Sequence, residues 1–308
     1  MKIKNTTLLR IIAPLAVLLV AVVGVLVAFH HQNSDTSSNG QKLQIVAAEN
    51  FWGSIISQIG GEHVEVTSII TDPSTDPHLY ESNAHDAAAL ARANIVITNG
   101  LGYDDFIDKL LAVSSGNKRQ VLSVQKLLNV TGDNPNPHLW YDLPRIPAVA
   151  DAFEQALIAK DPAHASAYAA NLATFKSSLK PVLSVIQKIK TTYPHAPVAY
   201  TERVPGYLLA AAGLDAKTPA GFAGAIEEGN DPSPVDTATM DTLMATHSIR
   251  VLLYNSQATS PVTEHARELA RQADIPVIGV TETLPKNEST YQSWQLHQAQ
   301  ALLEALSN

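Results

Sequence analysis

From Leu43 onward the chain alternates short apolar strands with helical stretches, and this alternation restricts the fold more than any other feature. Strands are predicted at residues 43–48, 64–70, 95–98, 198–201, 251–254 and 277–280, with helical periodicity at 51–59, 85–93, 237–246 and 263–273. The pattern is that of an α/β fold with mainly parallel sheets. The strands fall into two groups, one before residue 100 and one after residue 196, which predicts two lobes.

The segment between the groups differs in kind. Tyr168, Leu172, Phe175, Leu179, Val182, Ile186 and Ile189 recur at alternating spacings of four and three, one apolar stripe on one helix. Asp161-Pro162 reads as its start, with Asp as N-cap and Pro at the first helical position. A helix over 161–193 would run about 50 Å, and Pro181 inside it should cause a kink by removing one backbone donor. The expected organisation is an N-terminal lobe at 43–160, a linking helix at 161–193 and a C-terminal lobe at 194–308. Such folds bind ligands in the cleft at the C-terminal ends of their strands. About three heptads broken by Ala and Ser are marginal for a coiled-coil dimer, so a monomer is expected.

Residues 11–29, IIAPLAVLLVAVVGVLVAF, form an uncharged run behind a basic tip at 1–10 that carries Lys2, Lys4 and Arg10. As a helix the run would span roughly 28 Å, close to the hydrocarbon thickness of a bilayer. The basic flank places the tip inside and everything beyond residue 30 outside. The run is longer than the apolar region of most cleaved signals and lacks a clean cleavage site, so a retained anchor is favoured over a signal peptide. Residues 30–42, rich in Ser and Asn, read as a flexible tether.

Charge is divided along the same line. The chain carries 21 basic and 29 acidic residues, net −8, yet residues 1–42 hold four Lys or Arg against Asp35 alone. The exported body is therefore strongly acidic, which disfavours nucleic acid as a partner and suits cations. There is no cysteine among the 308 residues. Disulfides, thiolate zinc sites, a cysteine nucleophile and a lipidated N-terminal cysteine are all excluded, which leaves His, carboxylate and hydroxyl chemistry.

Two of the eleven histidines share one local pattern. Asp76-Pro77-His78-Leu79-Tyr80-Glu81 and Asn136-Pro137-His138-Leu139-Trp140-Tyr141-Asp142 both read Asp/Asn-Pro-His-Leu-aromatic, with a carboxylate close behind. Proline fixes its own φ and pushes the preceding residue toward an extended conformation, so each imidazole is presented from a stiff loop. A metal site needs that stiffness, because a neutral imidazole must arrive with one lone pair aimed and its other nitrogen held. The remaining histidines lack this context and read as surface or capping residues. Glu49, Glu81 and Asp142 are expected to be supporting, capping or solvated groups, and Glu227, Glu228 and Asp231 a mobile acidic surface loop.

Together with Ile59-Gly60-Gly61, the stretch IVITNGLG at 95–102 and EEGNDPSP at 227–234, these loops resemble the metal-specific substrate-binding proteins of bacterial ABC importers for zinc, manganese and iron. The resemblance covers residues 43–308. It implies four metal ligands, two per lobe, falling on His78, His138, Glu202 and Glu282. Both glutamates also follow predicted strands of the second group, so they can face one cleft. It further implies one divalent ion, Mn2+ or Zn2+ and within the family also Fe2+, carried as cargo and delivered to a permease with a separate ATPase. Two imidazoles with two carboxylates suit all three ions, and the carboxylate at the third position leans toward manganese. The chain departs from many zinc-branch relatives in lacking a His-rich loop after the first ligand, and from lipidated relatives in lacking the cysteine, so the apolar run would have to serve as tether.

A metal-dependent hydrolase with Glu202 or Glu282 as base is the main competing reading. It is disfavoured because four protein ligands leave little room for a reacting water, and neither a His-Glu-x-x-His nor a Gly-x-Ser-x-Gly motif is present. A third reading is a surface adhesin or metallochaperone built on the same site.

Overall fold

The computed structural model describes residues 42–72, 75, 80–114 and 119–308. The apolar run at 11–29, most of the tether and His78 lie outside the described residues. Among those described, no helix is long and apolar enough to cross a membrane.

Two four-stranded sheets, parallel throughout, organise the chain. The first contains β1 (Leu43–Glu49), β2 (Val64–Ile70), β3 (Ile95–Thr98) and β4 (Gln120–Ser123), in the order β2-β1-β3-β4. The second contains β5 (Pro197–Tyr200), β6 (Asp215–Ala216), β7 (Leu252–Asn255) and β8 (Val277–Val280), in the order β6-β5-β7-β8. Each sheet therefore has the same topology, with chain direction reversing across the sheet between its first and third strands. In open parallel sheets this switch point, at the carboxyl ends of the strands, is where a crevice forms. Here it lies beside the ends of β1 and β3 in one sheet and of β5 and β7 in the other.

Helices cover the sheets. In α1 (Asn50–Gly60), Phe51, Trp52, Ile55, Ile56 and Ile59 share one buried face, and a capping box of Asn83 with Asp86 starts α2 (Ala84–Arg92). Then come α3 (Asp105–Val113), the single turn α4 (Val124–Leu127) and α5 (Ile146–Lys160). The stretch expected to be one linking helix is a 3-10 turn at Pro162–His164, then α6 (Ala165–Ser178) and α7 (Lys180–Thr192). The break at Leu179 precedes Pro181, which sits in the first turn of α7 where a missing N–H costs nothing. All seven stripe residues are buried, at 8% exposure or less. Asp161 does not cap with its side chain; its carboxylate instead accepts from Tyr168 at 2.7 Å and pairs with His164 at 2.6 Å.

Around the second sheet lie α8 (Gly206–Ala211), α9 (Ala220–Glu227), α10 (Pro234–Ala245), α11 (Pro261–Gln272) and α12 (Tyr291–Ser307). One hydrophobic cluster joins both sheets through the intervening helices, from Ile45 and Phe51 through Phe175 and Ile186 to Val198 and Leu253. Phe51 stacks on Trp140 at 4.2 Å, and Trp52 meets Phe153 edge-on. Each such fully buried side chain contributes about 1.5–3 kcal/mol of transfer free energy, so the floor of the crevice contributes strongly to stability.

Candidate metal centre

His138 leaves its Asn-Pro-His loop fully buried. The Asn136 side-chain oxygen accepts from the His138 backbone N–H at 3.1 Å and lies 2.6 Å from Nδ1. An amide oxygen only accepts, so Nδ1 carries the proton and Nε2 presents its lone pair. That Nε2 lies 3.8 Å from Oε2 of Glu282. Two atoms on one ion at about 2.0–2.2 Å are separated by roughly 3–3.5 Å, so the pair is spaced to share a cation with little movement.

The 99–104 turn aims the next group. Asn99 follows β3 and donates to the Pro137 carbonyl at 2.8 Å, joining this turn to the His138 loop. Gly100, Leu101 and Gly102 all have positive φ, and a Cβ on Gly100 would fall 2.7 Å from the Gln125 side chain. Consecutive backbone N–H groups of Asn99 and Gly100 enclose the Asp104 carboxylate at 2.6 and 2.8 Å, an anion nest made by the chain itself. The turn delivers Tyr103, whose hydroxyl donates to Glu282 Oε2 at 2.9 Å and whose ring packs edge-on to His138. This explains physically why a glycine-rich stretch follows the buried strand at 95–98.

Glu202 and Glu282 follow β5 and β8 and are 3% and 6% exposed. Between them stands Asn255, the last residue of β7, which donates one amide hydrogen to Glu202 Oε2 at 2.9 Å and the other to Glu282 Oε1 at 2.5 Å. The Glu282 loop is also held from the first-sheet side. Asn50 and Leu284 exchange two hydrogen bonds of 2.9 Å, and Tyr141 donates to the Thr281 carbonyl at 2.8 Å. Both carboxylates front a polar cleft of about 410 Å³ lined also by Glu227, Asp231, Gln257 and Thr259.

Of the four expected ligands, His138 lies 3.8 Å from Glu282 and Asn255 links Glu282 to Glu202, while His78 lies outside the described residues. Among the described residues no three His, Asp or Glu side chains are already gathered as a cage for an ion.

Of the other acids, Glu49 takes the supporting place among those expected for it, and Glu227 departs from the surface loop expected. Glu49, at the end of β1, is fully buried, and neither of its oxygens has a hydrogen-bond partner among the described residues. Burial pushes its carboxyl well above the usual range, and the Asp104 charge adds to this. Glu227 is not a free surface acid: the Arg203 guanidinium grips both its oxygens at 2.7 and 2.8 Å. The same Arg203 donates to Asn134 at 3.2 Å, and its carbonyl accepts from Asn136 at 2.8 Å. The loops carrying Glu202 and His138 are thereby tied together. Asp104 is pushed up to about 6, chiefly by burial, with the Gly100 and Asn99 donors opposing.

Sequence reasoning did not find Tyr103, Asn255 or Arg203. Asn255 left a signal as a polar residue at the end of an otherwise apolar central strand, and Tyr103 one in the glycine-rich stretch just before it; Arg203 left none.

Residues 45–305 match the family described as ZnuA, zinc-uptake complex component A, periplasmic, and the chain belongs to that family. Among curated relatives, the manganese-binding lipoprotein MntA of Halalkalibacterium halodurans is 27% identical over 53% of this chain and 55% of its own length. The manganese ABC transporter substrate-binding lipoprotein PsaA of Streptococcus anginosus is 30% identical over 54% and 56%. The chain spans about half the length of the curated relatives it matches. The fold is that of the periplasmic zinc-binding protein TroA of Treponema pallidum, with a TM-score of 0.73 at 18% identity, covering 86% of this chain and 99% of that one. The Pseudomonas aeruginosa protein FpvC, solved with Mn2+, is similar at a TM-score of 0.73 and 22% identity, over 87% and 99%.

Proposed function

We propose that this protein is the extracytoplasmic substrate-binding component of an ABC importer and captures one divalent transition metal, Mn2+ or Zn2+, between its two lobes. His138, Glu202 and Glu282 supply three ligands, and His78, from the matching Asp-Pro-His loop, supplies the fourth. The observation that carries this reading is the aim of His138 Nε2, set by the Asn136 oxygen on Nδ1, toward a carboxylate that Asn255 couples to Glu202. The donor set is mixed nitrogen and oxygen with no sulfur, which fits Mn2+, Fe2+ and Zn2+. Two carboxylates and two neutral imidazoles carry the charge that one divalent ion cancels.

The cargo is handed to a permease driven by a separate ATPase, and the protein works as a monomer without catalysing a reaction. The apolar run at 11–29 holds it at the outer face of the membrane. The curated relatives named for manganese and the family named for zinc support the transport role. Helices α6 and α7 keep opening small and local. Cells lacking the protein are expected to accumulate less radioactive manganese or zinc, with uptake restored by the natural chain and not by His138→Ala. Unchanged uptake on deletion counts against the proposal.

A further inference from the structure

We infer that Asn255 is a positioning residue that restricts Glu202 and Glu282 to one-oxygen ligation and so sets which divalent cation the site prefers; the inference rests on the reading of this site as metal-binding. Asn255 ends β7 at the switch point of the second sheet, between the strands that lead to the two carboxylates. Its orientation is fixed by its neighbours, because its side-chain oxygen accepts from the Gln257 backbone N–H at 3.0 Å. The amide nitrogen must then face the carboxylates, and each of its two hydrogens goes to a different one. At 1% exposure, water has little access to replace either bond.

The consequence lies in what is left for a cation. Asn255 occupies Oε2 of Glu202 and Oε1 of Glu282. The oxygen of Glu282 nearest His138 is its other one, Oε2, which Tyr103 orients. In Glu202 this leaves Oε1 as the ligand; in Glu282 the Asn255 donor on Oε1 leaves Oε2, which coordinates through the lone pair that Tyr103 does not use, so each glutamate counts once. Two such oxygens with two imidazole nitrogens make a four-atom set, the number that Zn2+ takes in closed sites. Ions that favour six ligands, Mn2+ among them, lose the extra oxygens that two-oxygen ligation would give. A neutral amide is suited to the task. A lysine would cancel the site's charge, and a third carboxylate would repel the two it must hold.

The test is competition calorimetry with Zn2+ and Mn2+ on the natural protein, Asn255→Ala and Asn255→Asp, the last being the same size but without the donors. The ratio of zinc to manganese affinity is expected to narrow at least about tenfold in both variants, the size of one charge-assisted hydrogen bond. X-ray absorption is expected to show a higher coordination number for Mn2+ in the variants than in the natural protein. Equal weakening for both metals, or an unchanged ratio, overturns the inference while leaving the metal-binding reading intact. If neither variant folds, a structure of the natural protein loaded with Mn2+ decides. One-oxygen ligation by both glutamates supports the inference, and two-oxygen ligation by either overturns it. If the natural protein binds neither metal, the reading of the site fails, and this inference with it.

Discussion

Tyr103 donates its hydroxyl to Glu282 across 179 residues of sequence, from a turn that follows the first sheet to a loop that follows the second. The bond joins the two halves of the crevice at the carboxylate nearest His138. It depends on a backbone with three successive positive φ angles at Gly100, Leu101 and Gly102, which the Asp104 carboxylate stabilises from inside. Position in the fold, rather than charge alone, therefore determines where the Glu282 carboxylate points.

Removing that hydroxyl should weaken cargo binding without unfolding the protein. Tyr103→Phe keeps the ring that packs on His138 and Trp140 and loses one hydrogen bond to a carboxylate. Metal affinity by calorimetry should fall roughly 3–10-fold, mainly through faster dissociation.

Asn136 acts on the imidazole from behind. Asn136→Ala removes the acceptor that fixes the His138 tautomer and also the bond to the Arg203 carbonyl. Groups in this position behind a ligand are worth about 10–100-fold in metal affinity. A loss in that range is expected, and Asn136→Asp, which keeps an acceptor at Nδ1, should recover part of it.

The pH dependence of stability should carry a contribution opposite to ordinary acid denaturation. Burial pushes the Asp104 carboxyl up to about 6 from an ordinary 3.8, so between these values the folded state holds more protons than the unfolded one. Its contribution to stability is complete below pH 4 and is lost as pH rises through 6. Glu49, raised in the same direction, acts with the same sign. Asp104→Asn cannot ionise, so its melting temperature relative to the natural protein should be higher at pH 7 than at pH 4.5.

The aromatic floor under the crevice should dominate global stability. Phe51 is fully buried against Trp140, Trp52 and Trp294. Phe51→Ala should cost about 3–5 kcal/mol in denaturant unfolding.

The α/β class was legible because β-branched runs alternate with 3.6-residue periodicity. The six strands read from sequence lie within about a residue of those observed, as boundaries of strongly patterned elements do. Strands β4 and β6 were not read, since QVLS and the dipeptide Asp215-Ala216 carry too little apolar pattern, and their pairing comes from neighbouring strands. The stripe from Tyr168 to Ile189 was legible as a buried face, while its division at Leu179 follows from the backbone demands of Pro181. At the site, His138, Glu202 and Glu282 were visible through loop motif and family resemblance. Asn255 and Arg203 act through partners 24 to 69 residues away, contacts that no local period records. The Arg203 pair that holds Glu227 is hidden from the sequence for the same reason.

The most direct measurement is calorimetric titration of the chelator-stripped protein with Mn2+ and Zn2+, beside His138→Ala, Glu202→Ala and His78→Ala. The natural protein is expected to bind one ion per chain. Each variant should lose more affinity than the roughly 10–100-fold that a partner behind a ligand is worth. No binding by the natural protein, or unchanged binding by His138→Ala, would contradict the metal-binding reading.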